Sequence, residues 1–187
     1  QNSAVLLSLM KPLWRMYRQD SSRHGLSMDS YRTACAYTVD LFAGRTNEAF
    51  YILCLDPNCR LIREVMLHEG TVNEVSVHPR TVVETALRNN ASQVIFAHNH
   101  PKGMLEPSAN DVAYTRRLMV ALSTIGIPII DHIIVSGEET YSFAREGRME
   151  KILKEAEIRI TQDVAKYEKE PPPASSDYRA LSTFISR

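Results

Sequence analysis

One short segment of the sequence does most to limit the fold. Residues 93–97 (QVIFA) form an apolar run of strand-forming residues that leads directly into a polar loop with proline and glycine. Ser108 then begins a stretch whose apolar residues recur at helical spacing. A buried strand, a loop and a helix that folds back over the strand end are typical of mixed α/β domains. We therefore expect an α/β sandwich with a mixed or mostly antiparallel sheet flanked by helices.

The rest of the chain supplies further elements of both kinds. Apolar spacing predicts additional helices at residues 6–17, at about 27–43, at 79–90 and at 149–169. Short apolar or alternating runs predict strands at residues 49–55, 60–68, 71–77, 129–135 and 139–143. The turn residues Asp56-Pro57-Asn58 should join the first two strands as a hairpin. The helix that begins at Ser108 should end at Gly126, a natural C-cap, before Pro128.

These elements divide the chain into four parts. We predict a helical N-terminal extension at residues 1–46 and the α/β domain at 47–147, followed by a C-terminal helix at 148–170 and a proline-rich, extended tail at 171–187. The C-terminal helix is rich in lysine and glutamate and has one narrow apolar stripe, which is typical of a peripheral or partner-facing helix.

Composition argues against several classes of protein. The 22 basic residues cancel the 22 acidic ones, whereas nucleic-acid-binding domains usually carry a basic excess, so DNA is a disfavoured partner. Cys35, Cys54 and Cys59 form neither a CxxC pair nor a disulfide framework. No apolar stretch reaches the roughly 18–20 residues that span a bilayer, and no signal-peptide pattern is visible. We expect a cytoplasmic protein with no membrane partner, and a homodimer is one expectation for its assembly.

The segment AHNHPKGMLEPSAND, residues 97–111, carries the candidate chemistry. His98 and His100 are separated by one residue at a strand end, where alternate side chains share a face and can reach one ion. Zinc binds histidine nitrogens at about 2.0–2.1 Å, and catalytic zinc sites commonly have three protein ligands and a water. Asp111, in the first turn of the next helix, would be the third ligand.

Each part of this pattern also has a purely structural interpretation. A lone His-x-His is a weak signal for metal binding. Ser108 and Asp111 have the spacing of a helix N-cap and its N3 residue, which would fix the aspartate without any metal. His132, in the apolar run DHIIV, is more typical of a core histidine than of a fourth ligand. The conjunction of two histidines and the Ser-x-x-Asp element in one short window is what favours a metal site.

The same residues carry a resemblance to a known family. His98-x-His100, seven residues, Ser108, two residues and Asp111 match the HxH-x7-S-x2-D signature of the JAMM (MPN+) metalloproteases. The surrounding sequence, including EGTVNEVSVHPRTVVETALRNNASQVIFAHNHPKG and GIPIIDHIIVSGEETYSF, resembles the RadC family of bacterial JAB-domain proteins over residues 47–147. This resemblance implies a JAMM/MPN (cytidine-deaminase-like) fold with zinc at the edge of a curved sheet.

The resemblance also implies roles for individual residues. JAMM enzymes use a glutamate just before an apolar strand, and Glu48 occupies that place. Glu48 would act as general base, and Ser108 would donate a hydrogen bond to the oxyanion. Bound Zn²⁺ would be held by His98, His100 and Asp111. The reaction would be hydrolysis of a peptide or isopeptide amide in a protein or peptide substrate. The rival glutamates are Glu64, Glu69 and Glu74.

The sequence departs from the RadC pattern in two places. Residues 102 and 104–106 stand where RadC proteins usually have a small polar loop, and this loop would border the metal. Residues 1–46 lack the glycine-rich helix-hairpin-helix module that RadC proteins often carry, which further disfavours DNA binding. The alternative function is a non-catalytic module that binds protein or DNA in DNA repair or in a mobile-element context.

Overall fold

The computed structural model describes residues 25–70, 77–101 and 103–157. Its strands are β1 Glu48–Leu55, β2 Leu61–Gly70, β3 Gln93–Asn99, β4 Ile129–Ser136 and β5 Glu139–Ser142. Its helices are α1 Tyr31–Phe42, α2 Pro79–Arg88, α3 Ala109–Ser123 and α4 at residues 148–157. The predicted helix at 6–17, most of the predicted strand at 71–77 and the predicted tail at 171–187 lie outside the described residues.

The five strands form one open mixed sheet in the order β2-β1-β3-β4-β5. Strands β3 and β4 are parallel, and the other neighbours are antiparallel. The hairpins β1–β2 and β4–β5 account for two of the antiparallel pairs, whereas the parallel pair needs a crossover connection, which α3 supplies. The predicted mixed α/β sheet is confirmed. No helix in the described part of the chain is both long enough and apolar enough to cross a bilayer.

Helices cover both faces of this sheet. Helix α1 packs on one face, the α1 face, where Leu41 belongs to one core cluster with Leu53 and Ile95. Helices α2, α3 and α4 pack on the other, the α3 face, where Leu118 of α3 belongs to one cluster with Phe96 of β3. The central strands β1 and β3 are therefore buried on both sides, and this is why they read in the sequence as continuous apolar runs.

Strand β3 is longer than the sequence predicted, because it continues through His98 and Asn99 instead of ending at Ala97. His98 still has pairing partners on both sides, Phe50 of β1 and Ile134 of β4. The Asn99 side chain accepts a hydrogen bond from the N–H of Ala49 at 2.7 Å and donates one to the carbonyl of residue 47 at 3.0 Å. The end of β3 is thus bound to the start of β1.

Asp131 anchors the turn after β5 to the middle of the sheet. Its side chain is only 4% exposed, and it accepts hydrogen bonds from the N–H groups of His132 and Ala144 at 2.7 and 2.9 Å and from the Ser142 hydroxyl at 2.6 Å. Burial raises the pKa of Asp131 above its ordinary value, against the opposing effect of these donors. The carboxylate therefore accepts hydrogen bonds from three donors, and its burial disfavours the charged form.

Replacement of Asp131 by alanine should lower the free energy of unfolding by about 2–4 kcal/mol, because it leaves buried donors without an acceptor. Asp131→Asn keeps an acceptor oxygen and should cost much less. Since the raised pKa means that the folded protein binds this proton more tightly than the unfolded chain, the burial cost disappears as pH falls through the folded pKa. Urea unfolding should therefore show that wild type gains stability relative to Asp131→Asn as the pH is lowered from neutrality. Equal losses for the alanine and asparagine variants would contradict this role.

Candidate metal centre

The two histidines are held in place by the end of β3. Pairing with Phe50 places His98 on the α3 face of the sheet. The N–H of His100 donates to the carbonyl of Val135 at 2.8 Å, which extends the contact with β4 by one residue past the strand. The Nε2 atoms of His98 and His100 lie 3.0 Å apart. The strand end therefore presents both imidazoles to one point, as the spacing predicted.

Asp111 is fixed by a capping box at the start of α3. Its N–H donates to the Ser108 hydroxyl oxygen at 3.1 Å, and its Oδ2 accepts from the Ser108 N–H at 2.7 Å. The Ser108 hydroxyl also lies 2.7 Å from this oxygen and donates to it. The other oxygen, Oδ1, lies 3.3 Å from Nε2 of His98. The predicted N-cap is confirmed, and the oxygen that the cap does not hold lies next to His98.

The spacing of these donor atoms fits a metal ion. The closest approaches are 3.0 Å between the Nε2 atoms of His98 and His100, 3.3 Å from Nε2 of His98 to Oδ1 of Asp111, and 3.7 Å from Nε2 of His100 to Oδ2 of Asp111. Ligand atoms bound tetrahedrally to one zinc at about 2.0–2.1 Å lie about 3.3–3.4 Å from one another. Among the described residues, His98, His100 and Asp111 are the one group with such an arrangement.

The protonation of the imidazoles also suits a cation. Nδ1 of His100 donates to the carbonyl of Met104 at 2.8 Å, so in the neutral ring its Nε2 is bare. Burial lowers the pKa of His98 to about 4, so this ring is neutral at pH 7. The Nε2 atoms of the two rings lie 3.0 Å apart, close enough for both to contact one cation. The pair is therefore organised to share a positive centre.

Glu48 lies on the same face of the sheet as the histidines. Side chains alternate along β1, so Glu48 lies on the same face as Phe50, which is paired with His98. Burial raises the pKa of Glu48; the nearby Asp111 charge acts in the same direction and His100 acts in the opposite one. The Glu48 carboxyl group thus interacts electrostatically with two of the three metal-ligand candidates.

The rival glutamates on β2 face away from the site. Glu69 is paired with Ala49 and Glu64 with Leu53, and both partners belong to the core on the α1 face. Glu69 also forms an ion pair with Arg45 at 3.1 Å. Glu74 lies outside the described residues. The register of the β1–β2 hairpin therefore favours Glu48 over Glu64 and Glu69.

Two contributors to the site were missed at the level of sequence. The carbonyl of Met104 orients His100, and a main-chain contact of this kind leaves no signal in the residue types. Thr115 lies behind the site and its hydroxyl contacts His132, which is fully buried. Its position four residues after Asp111, on the same helix face, was a signal that could have been used. His132 is a buried residue of β4, as predicted for a core histidine.

Comparison with known proteins identifies the family of this chain. The family model described as "RadC-like JAB domain" matches residues 28–148. A UPF0758 protein of Pseudoalteromonas translucida is 42% identical over 143 residues, which cover 76% of this chain and 64% of the relative. One of Vibrio parahaemolyticus is 40% identical over 147 residues, covering 79% of this chain and 66% of the relative. The matched region thus spans just under two thirds of the length of these relatives. The match over most of the chain shows that it belongs to the RadC-like JAB domain family.

Proposed function

We propose that this protein is a zinc-dependent hydrolase of peptide or isopeptide amide bonds. The observation that carries the proposal is the meeting of three side chains from β3, the loop after it and α3, whose Nε2 and carboxylate oxygen atoms approach one another to 3.0–3.7 Å, with Glu48 on the same face. Two nitrogens and one carboxylate oxygen are a donor set that zinc favours, and three protein ligands leave a position open for water. Family membership supports the same class of site.

The roles of the protein side chains follow from this placement. Bound zinc supplies a water molecule whose pKa is lowered to about 7. Glu48 would accept the proton of that water and deliver it to the leaving amine. Burial raises the pKa of Glu48, which brings this carboxyl group closer to the range in which one group can both take up and release a proton near neutral pH.

Ser108 would stabilise the oxyanion that develops on the substrate carbonyl. In the structure its hydroxyl donates to Oδ2 of Asp111, so it must rotate toward the substrate to act. The N–H of Ser108 would continue to hold the same carboxylate oxygen after this rotation, at 2.7 Å. The helix cap can therefore lend its hydroxyl without releasing Asp111.

Replacement of Ser108 by alanine should lower kcat by about 10²–10³, the usual effect of losing one oxyanion donor. Zinc should stay bound, because the N–H of residue 108 still holds Asp111. The lost cap should also cost about 1 kcal/mol of stability. Ser30→Ala is a matched control, since Ser30 caps α1 through a contact of 3.3 Å to the N–H of Thr33 on the opposite side of the sheet. Equal losses of kcat in the two variants would show that Ser108 acts only as a cap.

The function itself is tested with protein purified without chelator and assayed on libraries of quenched-fluorescent peptide and isopeptide amides. We expect turnover that disappears after the metal is stripped and returns when one equivalent of Zn²⁺ is added. Turnover that continues in metal-free protein would overturn the proposal. Protein that binds zinc at the site and cleaves no amide of either class would favour the non-catalytic alternative instead.

A further inference from the structure

A buried pair of polar side chains lies directly behind His98. His132 of β4 is 1% exposed and Thr115 of α3 is fully buried, and neither belongs to the group of metal-ligand candidates. Nδ1 of His98 lies 2.8 Å from Nε2 of His132, and Nδ1 of His132 lies 2.6 Å from the Thr115 hydroxyl oxygen. The same hydroxyl lies 2.6 Å from the main-chain carbonyl of Asp111. A continuous chain of hydrogen bonds thus joins two of the candidate ligands through the core.

The hydrogen bond at one end of this chain gives a direction to the others. The structure has the Thr115 hydroxyl donating its single proton to the carbonyl of Asp111, which can only accept. The Thr115 oxygen must then accept from Nδ1–H of His132. In the neutral ring this leaves Nε2 of His132 bare, and it accepts from Nδ1–H of His98. The remaining nitrogen of His98, Nε2, is left bare on the side that faces His100 and Asp111.

We propose that Thr115 and His132 are positioning residues that hold His98 in the tautomer able to bind the metal. The inference rests on the proposed metal centre and extends it to residues that touch neither metal nor substrate. These hydrogen bonds also connect α3, which carries Asp111, to His98 of β3 and His132 of β4. They therefore set both the proton position and the distance between two ligands.

We expect the Thr115 hydroxyl to disfavour the alternative state, in which both His132 and His98 carry their proton on Nε2. Without this hydroxyl, His132 can place its proton on Nε2 and donate to Nδ1 of His98. The proton of His98 then moves to Nε2 and occupies the position that the metal needs. The ring of His132 would otherwise keep its place, because it stacks on Phe143 with ring centroids 4.9 Å apart. Loss of one hydroxyl group should therefore change the tautomer more than the packing.

The test compares three threonine variants of the whole chain. Thr115→Val removes the hydroxyl at nearly constant shape, and Thr115→Ser restores it. Thr38→Val is the matched control, since Thr38 is also fully buried and its hydroxyl donates only to the Cys35 carbonyl within α1, at 2.9 Å. Zn²⁺ affinity is measured by competition with a chromophoric chelator, and Co²⁺ absorption reports the ligand geometry. Nitrogen-15 spectra of the histidine rings in metal-free protein report which nitrogen of His98 carries the proton.

We expect Thr115→Val to weaken Zn²⁺ binding by about 10–100-fold, the usual range for outer hydrogen-bond partners of a metal ligand. Thr115→Ser should restore most of the affinity, and Thr38→Val should leave it unchanged. The ring spectra should show the proton of His98 on Nδ1 in wild type and partly on Nε2 in Thr115→Val. Equal affinities for wild type and Thr115→Val, equal losses in Thr115→Val and Thr38→Val, or a wild-type His98 protonated on Nε2 would each overturn the inference. Wild-type protein that binds no Zn²⁺ would overturn the proposed function as well, whatever the variants do.

Discussion

Replacement of Glu48 by glutamine should lower kcat of amide hydrolysis by about 10²–10⁴, the usual contribution of a general base. Glutamine has nearly the same shape but cannot accept a proton from the attacking water. Zinc should remain bound at one equivalent per chain, because Glu48 is not part of the group formed by His98, His100 and Asp111. Steady-state kinetics together with metal analysis of the same preparation measure both quantities.

Glu64→Gln is the matched control for this substitution. Glu64 lies on β2 opposite Leu53, five positions along β1 from Glu48 and on the α1 face of the sheet. It should keep both wild-type turnover and wild-type zinc content. If Glu48→Gln loses zinc as well as activity, Glu48 is a ligand and its assignment as general base is wrong. If it keeps full activity, another group accepts the proton.

Replacement of His100 by alanine should release the metal and abolish hydrolysis. It removes one of three ligands, so the loss of Zn²⁺ affinity should exceed the about 10–100-fold that outer partners contribute. Hydrolysis should fall to the level of metal-stripped protein, and added Zn²⁺ should not restore it at micromolar concentration. Chelator competition and turnover measured on one preparation check both results.

The control for this second substitution is His78→Ala. His78 is exposed and precedes α2, where its side chain makes no capping hydrogen bond. The variant should keep zinc and activity, which separates loss of a ligand from loss of any histidine. Wild-type affinity in His100→Ala would contradict the assignment of His100 as a ligand.

The centre of the site was predictable from sequence because it is local in the chain. A strand end, a short loop and a capped helix start bring His98, His100 and Asp111 together, and each of these elements has its own sequence signal. The helix cap formed by Ser108 and Asp111 is compatible with the proposed roles of both residues in the site. One oxygen of Asp111 lies next to His98 while the cap holds the other.

The parts that depend on distant pairing were not predictable in the same way. Only the register of β1 against β2 and β3 separates Glu48 from Glu64 and Glu69, since it determines which face of the sheet each one occupies. The extension of β3 to Asn99 depends on partners in β1 and β4. The contact between Thr115 and His132 joins a helix to a strand 17 positions away, and no local sequence pattern predicts it.

The central claim is that one metal ion is bound by His98, His100 and Asp111. Crystals grown with Zn²⁺ and measured on both sides of the zinc absorption edge test it most directly. We predict one anomalous peak per chain, about 2.0–2.1 Å from Nε2 of both histidines and about 2.0–2.2 Å from a carboxylate oxygen of Asp111. An anomalous peak at other residues, or none at this position with zinc in excess, would contradict the claim.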